Sequence, residues 1–435
     1  MPHTLKDVLP VTARVNEADR LEIGGCDTTE LAQEFGTPLY VFDEATFRTR
    51  ARLLKAAFPD ASLYFAAKAF PATAILQLAQ REGYGVDVAS GGELHTALAA
   101  GIQPEWLILH GNNKCDSDIA RAVDAGVGRI ALDNLDDIDR VAAAAAGRRQ
   151  RVLLRVTPGV EAHTHAYIQT GQEDSKFGLS IESGLAEEAA RRVAKQPSLE
   201  LVGVHAHIGS NIFSYDPFGK TLEILFGFLD PLHSLLGIEF SEVNLGGGLG
   251  IPYTADDFPI RLDLLAALVT ETVTTEAAAR GMPVPRLCFE PGRFLVGNAA
   301  VTLYSVGVVK EIPGIRTYVS VDGGMSDNIR PALYQARYTA FLANKARHTP
   351  ARLVTVAGMH CESGDLLVRD VALPASVERG DLLVIPATGA YGYAMASNYN
   401  KQPRPAVVLV RDGEAFPIVR RESLDDLIRL ELPLP

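Results

Sequence analysis

Short β-prone runs alternate with helix-like segments through the first two thirds of this chain. That alternation restricts the possible folds more than any other feature. The runs are SLYFAA (62–67), YGVDVA (84–89), WLILH (106–110), RIALD (129–133), RVLLRV (151–156), LVGVHAHI (201–208), SEVNLGG (241–247) and RLCFEPG (286–292). Between them lie segments such as TAILQLAQREG (73–83), GELHTALAAG (92–101) and SDIARAVDAG (117–126). The last two end in glycine, the usual residue just past a helix. Strands that alternate with helices pair in parallel through right-handed crossovers. Eight of them over roughly 230 residues match the size of a (β/α)8 TIM barrel. A doubly wound open sheet is the alternative.

At 435 residues the chain exceeds what one hydrophobic core usually supports, so a second domain is expected. After about residue 296 the texture becomes β-rich: VTLYSVGVV, TYVSVD, RLVTVAG, DLLVRDVAL, DLLVIPA and PAVVLVRDG, with turns such as ERGD and RDGE. This reads as a mostly antiparallel β domain. RLEIGG, ahead of the barrel pattern, is expected to add a strand to it. The expected division is an N-terminal segment 1–43 packing with the β domain, a barrel over 44–296 and the β domain over 297–435. A net charge of −12 with acids and bases mixed argues against a nucleic-acid surface. No stretch reads as a membrane span or a signal peptide. The four cysteines, Cys26, Cys115, Cys288 and Cys361, show no spacing signature. A reduced, cytoplasmic protein is expected, with one disulfide left open.

Barrel chemistry sits where strands end. Strand 1 ends at Lys68, strand 2 at Asp87, and strand 6 at His207, Gly209 and Ser210. Strand 7 ends at Gly246, Gly247 and Gly248, and strand 8 at Glu290 and Arg293. In a closed barrel the eighth strand lies beside the first, so Glu290 and Lys68 can be neighbours. Lys68, in YFAAKAF, is either a lysine that snorkels from a strand end or a desolvated amine suited to a Schiff base. Lys176, in the polar DSKFGL, is its competitor. GGGLG (246–250) fits a dinucleotide fingerprint badly, because the glycine spacing is wrong and two prolines follow. A flexible turn or a backbone cradle for phosphate remain, and the sequence does not choose between them. His205 and His207 share one face of a strand. They suit a metal, a hydrogen-bonded interior or a flat ring covering a flat cofactor, but no third metal ligand is evident. Glu290, in FEPGRF, either pairs with Arg293 or faces a pyridine nitrogen and keeps it protonated.

Taken in order, YFAAKAF, VDVASGGEL, HGNNK, YIQTG, DSKFGL, HAHIGS, NLGGGLG, EPGR, RPALY, CESGD and GAYGYAMASNYN carry a resemblance from about residue 30 to the end. The chain resembles the fold-type III pyridoxal-phosphate decarboxylases, and more narrowly the diaminopimelate decarboxylases. The resemblance implies decarboxylation of meso-2,6-diaminopimelate to L-lysine, the last step of lysine biosynthesis, with pyridoxal 5'-phosphate and no metal. It implies that Lys68 holds the cofactor, that His207 stacks on its ring and that Glu290 pairs with its nitrogen. Asp87, Ser210, Gly247, Gly248, Pro291, Gly292, Arg293 and Tyr391 complete the cofactor site. Arg293, Arg330, Tyr334, Glu362 and Tyr391 would bind substrate, and Cys361 would donate the proton. It further implies a homodimer in which CESGD reaches into the partner's barrel. One departure is Cys115, where the family commonly has serine; little consequence is expected.

Arg330 and Tyr334 lie four apart, so a helix there puts both on one face. Arg330 can grip a second carboxylate with a bidentate fork. Decarboxylases of ornithine, arginine or carboxynorspermidine take substrates ending in a cation, and Arg330 speaks against them. A racemase would leave CESGD without a task. A non-catalytic homologue would tend to lose Lys68 or Cys361, and both are present.

Overall fold

A computed structural model describes residues 6–160 and 175–435. YIQTG (167–171), and most of a 159–178 loop whose sequence raises the question of closure over substrate, lie outside them. The chain divides into two units: Ala51–Gly250 with Pro259–Phe294, and Met1–Arg50 with Ile251–Phe258 and Leu295–Pro435. The short 251–258 segment thus joins the β unit, although it lies within the barrel's stretch of sequence.

The first unit is a closed barrel of eight parallel strands: β1 (Ser62–Ala66), β2 (Gly85–Val88), β3 (Leu107–Leu109), β4 (Arg129–Leu132), β5 (Gln150–Thr157), β6 (Leu199–His205), β7 (Glu242–Asn244) and β8 (Arg286–Phe289). All eight expected strands form. β8 pairs with β1 through Cys288↔Ser62 and Phe289↔Leu63, and β4 pairs with β5, which closes the ring. The strands read as continuous apolar runs because barrel strands are covered on both faces; β2, for instance, is buried throughout. Tyr64, Ile108 and Cys288 pack together from β1, β3 and β8.

Helices follow the strands, among them Thr73–Arg81, Gly91–Ala99 and Asp116–Ala125. The last stops at Gly126, whose left-handed φ of 79° closes the final turn. At its other end Cys115 occupies the N-cap and makes no side-chain bond. A serine there would satisfy one orphan backbone N–H, an interaction worth about 1 kcal/mol. The substitution therefore has a physical effect, offset in part by Asp116 and Asp118 in the first turn.

The second unit is a sheet running Leu366–Pro374, Pro350–Ala357, Arg316–Val321, Ala300–Ile312, Leu39–Asp43, Ala406–Arg411 and Glu414–Val419, with Leu382–Ile385 also on Ala300–Ile312. It is mostly antiparallel. The exceptions are Arg316–Val321 with Pro350–Ala357, and Ala406–Arg411 with Leu39–Asp43. The N-terminal strand that enters this sheet is LYVFD (39–43), not RLEIGG. Leu21–Ile23 instead forms a small three-stranded sheet with Arg14–Val15 and Cys26–Asp27. Its Leu21 and Ile23 pack in one core with Val41, Leu303 and Val408, so RLEIGG joins the domain's core without joining its sheet. No helix among the described residues is long and apolar enough to cross a membrane. All four cysteines are free.

Candidate active site

The strand ends of the barrel converge on Glu290, just past β8. Its buried carboxylate accepts from His110 Nε2 (2.9 Å) and Asn244 Nδ2 (2.7 Å) on Oε1, and from His205 Nε2 (3.0 Å) on Oε2. Asn244, at the end of β7, is aimed by the Gly246 N–H, which donates to its Oδ1 (2.8 Å). His110 follows β3 in HGNNK. That loop is pinned by Lys114, whose buried ammonium donates to Asp137 (2.6 Å) and to the Gly111 carbonyl (2.7 Å).

Burial alone would raise the Glu290 pKa, but the two imidazoles overcome it and hold the carboxyl well below the usual range. Burial likewise works against a proton on His110, yet Glu290 and Asp87 prevail and raise its pKa. His205 falls to about 4, through burial first and His110 in part. The rings are 4.6 Å apart, so one carboxylate supports one extra proton rather than two. Burial pushes Asp87 up, with His110, 3.9 Å away, opposing. Two neighbouring carboxyls are thus driven in opposite directions, a mark of chemical sites.

Lys68 sits on the turn Ala67–Ala69 directly after β1. The Ala66 N–H donates to the Pro291 carbonyl (3.2 Å), so the Lys68 and Glu290 turns are adjoining. The lysine's charge acts on both Asp87 and His207. His207, just past β6, accepts at Nδ1 from the Gly247 N–H (3.3 Å). Burial, then the Lys68 charge, pushes its pKa well down, so its ring is neutral with the proton on Nε2. His205 and His207 therefore take separate roles. The atoms that meet within 4.8 Å belong to His110, His205 and Glu290. Both imidazoles lie within hydrogen-bond distance of the Glu290 carboxylate, at 2.9 and 3.0 Å.

Ser210 Oγ accepts from Arg293 Nη2 (2.8 Å), so Arg293 turns to Ser210. Gly248 has φ 109°, and a Cβ on it would lie 2.8 Å from the Gly209 carbonyl oxygen. A Cβ on Gly247 would come 2.5 Å from the Glu290 carbonyl oxygen. These are backbone contacts with no room for a side chain, so both positions require glycine. Pro291 and Gly292 complete the turn between Glu290 and Arg293.

The remaining candidates belong to the β unit. Arg330 opens the short helix Arg330–Tyr334 and is 6% exposed. It lies over Tyr253 (4.9 Å) and Tyr338 (5.6 Å) and donates to the Tyr338 hydroxyl (2.5 Å). Tyr334 is half-buried, and no contact brings it to Arg330. Cys361 and Glu362 are exposed, and Glu362 accepts from the Tyr399 hydroxyl. Tyr391 is half-buried with a left-handed φ of 60°, rare for a bulky residue. Reading the strand ends missed His110 and Asn244, although both stand at such ends. It also missed Tyr253 and Tyr338, which only the fold brings to Arg330. A cavity of about 870 Å³ opens at the strands' opposite ends, lined by Arg129, Arg151, Glu242 and Arg286. Barrels carry stability there rather than chemistry.

The residues present fit pyridoxal phosphate. A carboxylate offers about four acceptor positions, and Glu290 uses three, which leaves one for a ring N–H. The Lys68 turn adjoins the Glu290 turn, and the neutral His207 ring and the glycine-rich turn stand at neighbouring strand ends. This barrel and site define a class, the pyridoxal-dependent decarboxylases, whose pyridoxal-binding domain matches residues 44–297. Within that class the chain belongs to the diaminopimelate decarboxylase family. The enzyme of that name from Bacillus subtilis is 48% identical, over 97% of each chain. That from Mycobacterium bovis is 46% identical, over 99% of each. The crystal structure of the M. jannaschii diaminopimelate decarboxylase superposes with a TM-score of 0.91 at 35% identity, over 98% of each chain. A second structure of it is a complex with L-lysine.

Proposed function

We propose that the barrel mouth holds pyridoxal phosphate through Lys68 and Glu290, and that Arg330 and Cys361 complete a decarboxylase site. The chain catalyses conversion of meso-2,6-diaminopimelate to L-lysine and carbon dioxide. The observation that carries the reading is the Glu290 carboxylate, held ionised by buried donors beside the Lys68 turn. Bound there, the cofactor supplies an electron sink for the pair released when carbon dioxide leaves. Glu290 keeps a proton on the ring nitrogen, and Asp87 adds to this acidic side. The neutral His207 ring would stack on the cofactor, Ser210, Gly247, Gly248, Pro291, Gly292, Arg293 and Tyr391 would hold its phosphate, and Lys68 would be its covalent tether.

Arg330 takes the substrate's distal carboxylate. It is a buried cation with no carboxylate in ion-pair reach among the described residues, which suits an anionic ligand. Tyr334, Glu362, Arg293 and Tyr391 line the remainder. Cys361 protonates the carbon that lost its carboxyl. The enzyme works in the cytoplasm as a homodimer, and each copy lends Cys361 and Glu362 to its partner.

Supplied with pyridoxal phosphate and a panel of meso-diaminopimelate, ornithine, arginine and lysine, the protein is expected to release carbon dioxide from the first alone. Equal release from ornithine would overturn the substrate assignment. Lys68→Ala, inactive, and Cys361→Ala, left with a small residual rate, should regain about a quarter of wild-type activity when mixed and exchanged, because one site in a mixed dimer escapes both lesions. No recovery would refute shared sites.

A further inference from the structure

Cys361 is exposed, yet the residue before it is buried and bonded at every polar atom. His360 Nε2 lies 2.8 Å from Ser326 Oγ, and Nδ1 lies 3.0 Å from Asn400 Oδ1. Its backbone N–H donates to Asp365 Oδ2 (2.9 Å), and its carbonyl accepts from the Glu362 N–H (2.8 Å). Its ring leans on Tyr399 at 5.3 Å, and Tyr399 in turn donates to Glu362. The second oxygen of Asp365 accepts from the Met325 N–H (2.7 Å). Three loops are tied here, and other bonds draw them together. Met359 N–H donates to the Gly323 carbonyl (2.9 Å), and Ser397 N–H to the Ser326 carbonyl (2.8 Å). Asp365 fits only because Gly358 lacks a side chain, whose Cβ would stand 2.1 Å from the carboxylate. An exposed tip anchored by a buried, doubly bonded ring is a device for holding one short stretch of backbone still.

We propose that His360 is a positioning residue: its bonds to Ser326 and Asn400 fix where the Cys361 thiol is presented for proton delivery. This rests on the reading of Cys361 as donor. In the step served, the carbon–carboxyl bond breaks, the electron pair stays with the carbon and the thiol proton joins it. The thiolate then regains a proton from water. Ser326 also begins the stretch that leads through Asp327 to Arg330. Asp327 accepts from the Gly324 N–H (2.7 Å) and from the Tyr304 hydroxyl. One set of side-chain bonds therefore anchors the loop of the donor to the loop of the carboxylate grip.

The test is turnover in deuterium oxide, reading both kcat and the configuration of the single deuterium left on the product carbon. Wild type should give one configuration. His360→Leu should lower kcat about 10- to 100-fold, as a displaced reacting group does, with KM within about threefold. It should also mix the two configurations, because solvent then competes with a misplaced thiol. His360→Gln, able to keep one bond, should recover part of both. Ser326→Ala should move both readouts the same way by less, and it decides the matter if His360→Leu does not fold. A folded His360→Leu, or Ser326→Ala in its place, with wild-type kcat and one configuration overturns the proposal. Cys361→Ala separates the two readings. If it mixes the configurations and His360→Leu does not, only the role of His360 falls. If Cys361→Ala itself keeps one configuration at full rate, the donor assignment fails and takes the proposal with it.

Discussion

Replacing Arg330 with methionine tests what this chain does with a second carboxylate. Arg330 is 6% exposed, and its guanidinium has tyrosines on it, Tyr253 and Tyr338, as hydrogen-bond partners. Arginine carries five N–H donors. The tyrosines leave the rest of the fork for a ligand, and no side-chain carboxylate competes among the described residues. Each hydrogen bond to a charged group contributes about 1.5–3 kcal/mol, so a bidentate grip contributes about 3–6 kcal/mol. At ~1.4 kcal/mol per tenfold, its loss should raise KM for meso-diaminopimelate roughly 10²- to 10⁴-fold. Inhibition by L-lysine, which lacks the second carboxylate, should change less than about threefold. Stability should hold or rise, because methionine relieves a buried charge. The assay is steady-state carbon dioxide release over a wide substrate range, with the cofactor's visible band as a control for the barrel mouth. A KM within about threefold of wild type, with that band intact, would refute the assignment of Arg330 to the distal carboxylate. Arg330→Ala should raise KM as well.

Three further outcomes are expected. Lys68→Ala should abolish the visible band of the lysine-bound cofactor; a band that persists moves the tether to Lys176. Glu290→Gln should keep that band but lower kcat about 10- to 10³-fold, since an opposite charge at this range is worth roughly 1–3 pKa units to a ring proton; an unchanged kcat would remove Glu290 from that task. Asp327 bears on stability. Burial, against the Tyr304 hydrogen bond, lifts its pKa from 3.8 to about 6, so the folded state holds its proton more tightly than the unfolded chain. Its contribution is therefore full below pH ~4 and is lost as pH rises to ~6, a change of about 3 kcal/mol. Denaturant titrations of Asp327→Asn against wild type should show their stability difference shift toward the variant by that order across this window. A difference that does not vary with pH would refute it.

The barrel was legible because its strands carry their own signal. Most are short apolar runs that alternate with helices, and closure by β8 against β1 brings the ends at Lys68 and Glu290 together. Backbone register places such residues, and register follows from period and length. The same signal also occurs at LYVFD, which is buried at all five positions and precedes the helix Glu44–Ala57, yet this strand lies in the other sheet, within the 1–43 segment expected to pack with the β domain. A continuous apolar run fits the middle of either sheet, so nothing local chooses. Cys361 and Glu362 stand out as residues with no partner nearby in sequence, and that much can be read. What holds them cannot be. His360, Ser326 and Asn400 meet by side-chain bonds across three loops separated by 34 and 40 positions. Arg330 likewise meets Tyr253 only because the segment after the glycine-rich turn joins the β unit. Such contacts have no period and no spacing. Residues at strand ends can therefore be found one at a time from sequence, whereas those that fix the exposed thiol and the buried arginine become visible only as sets.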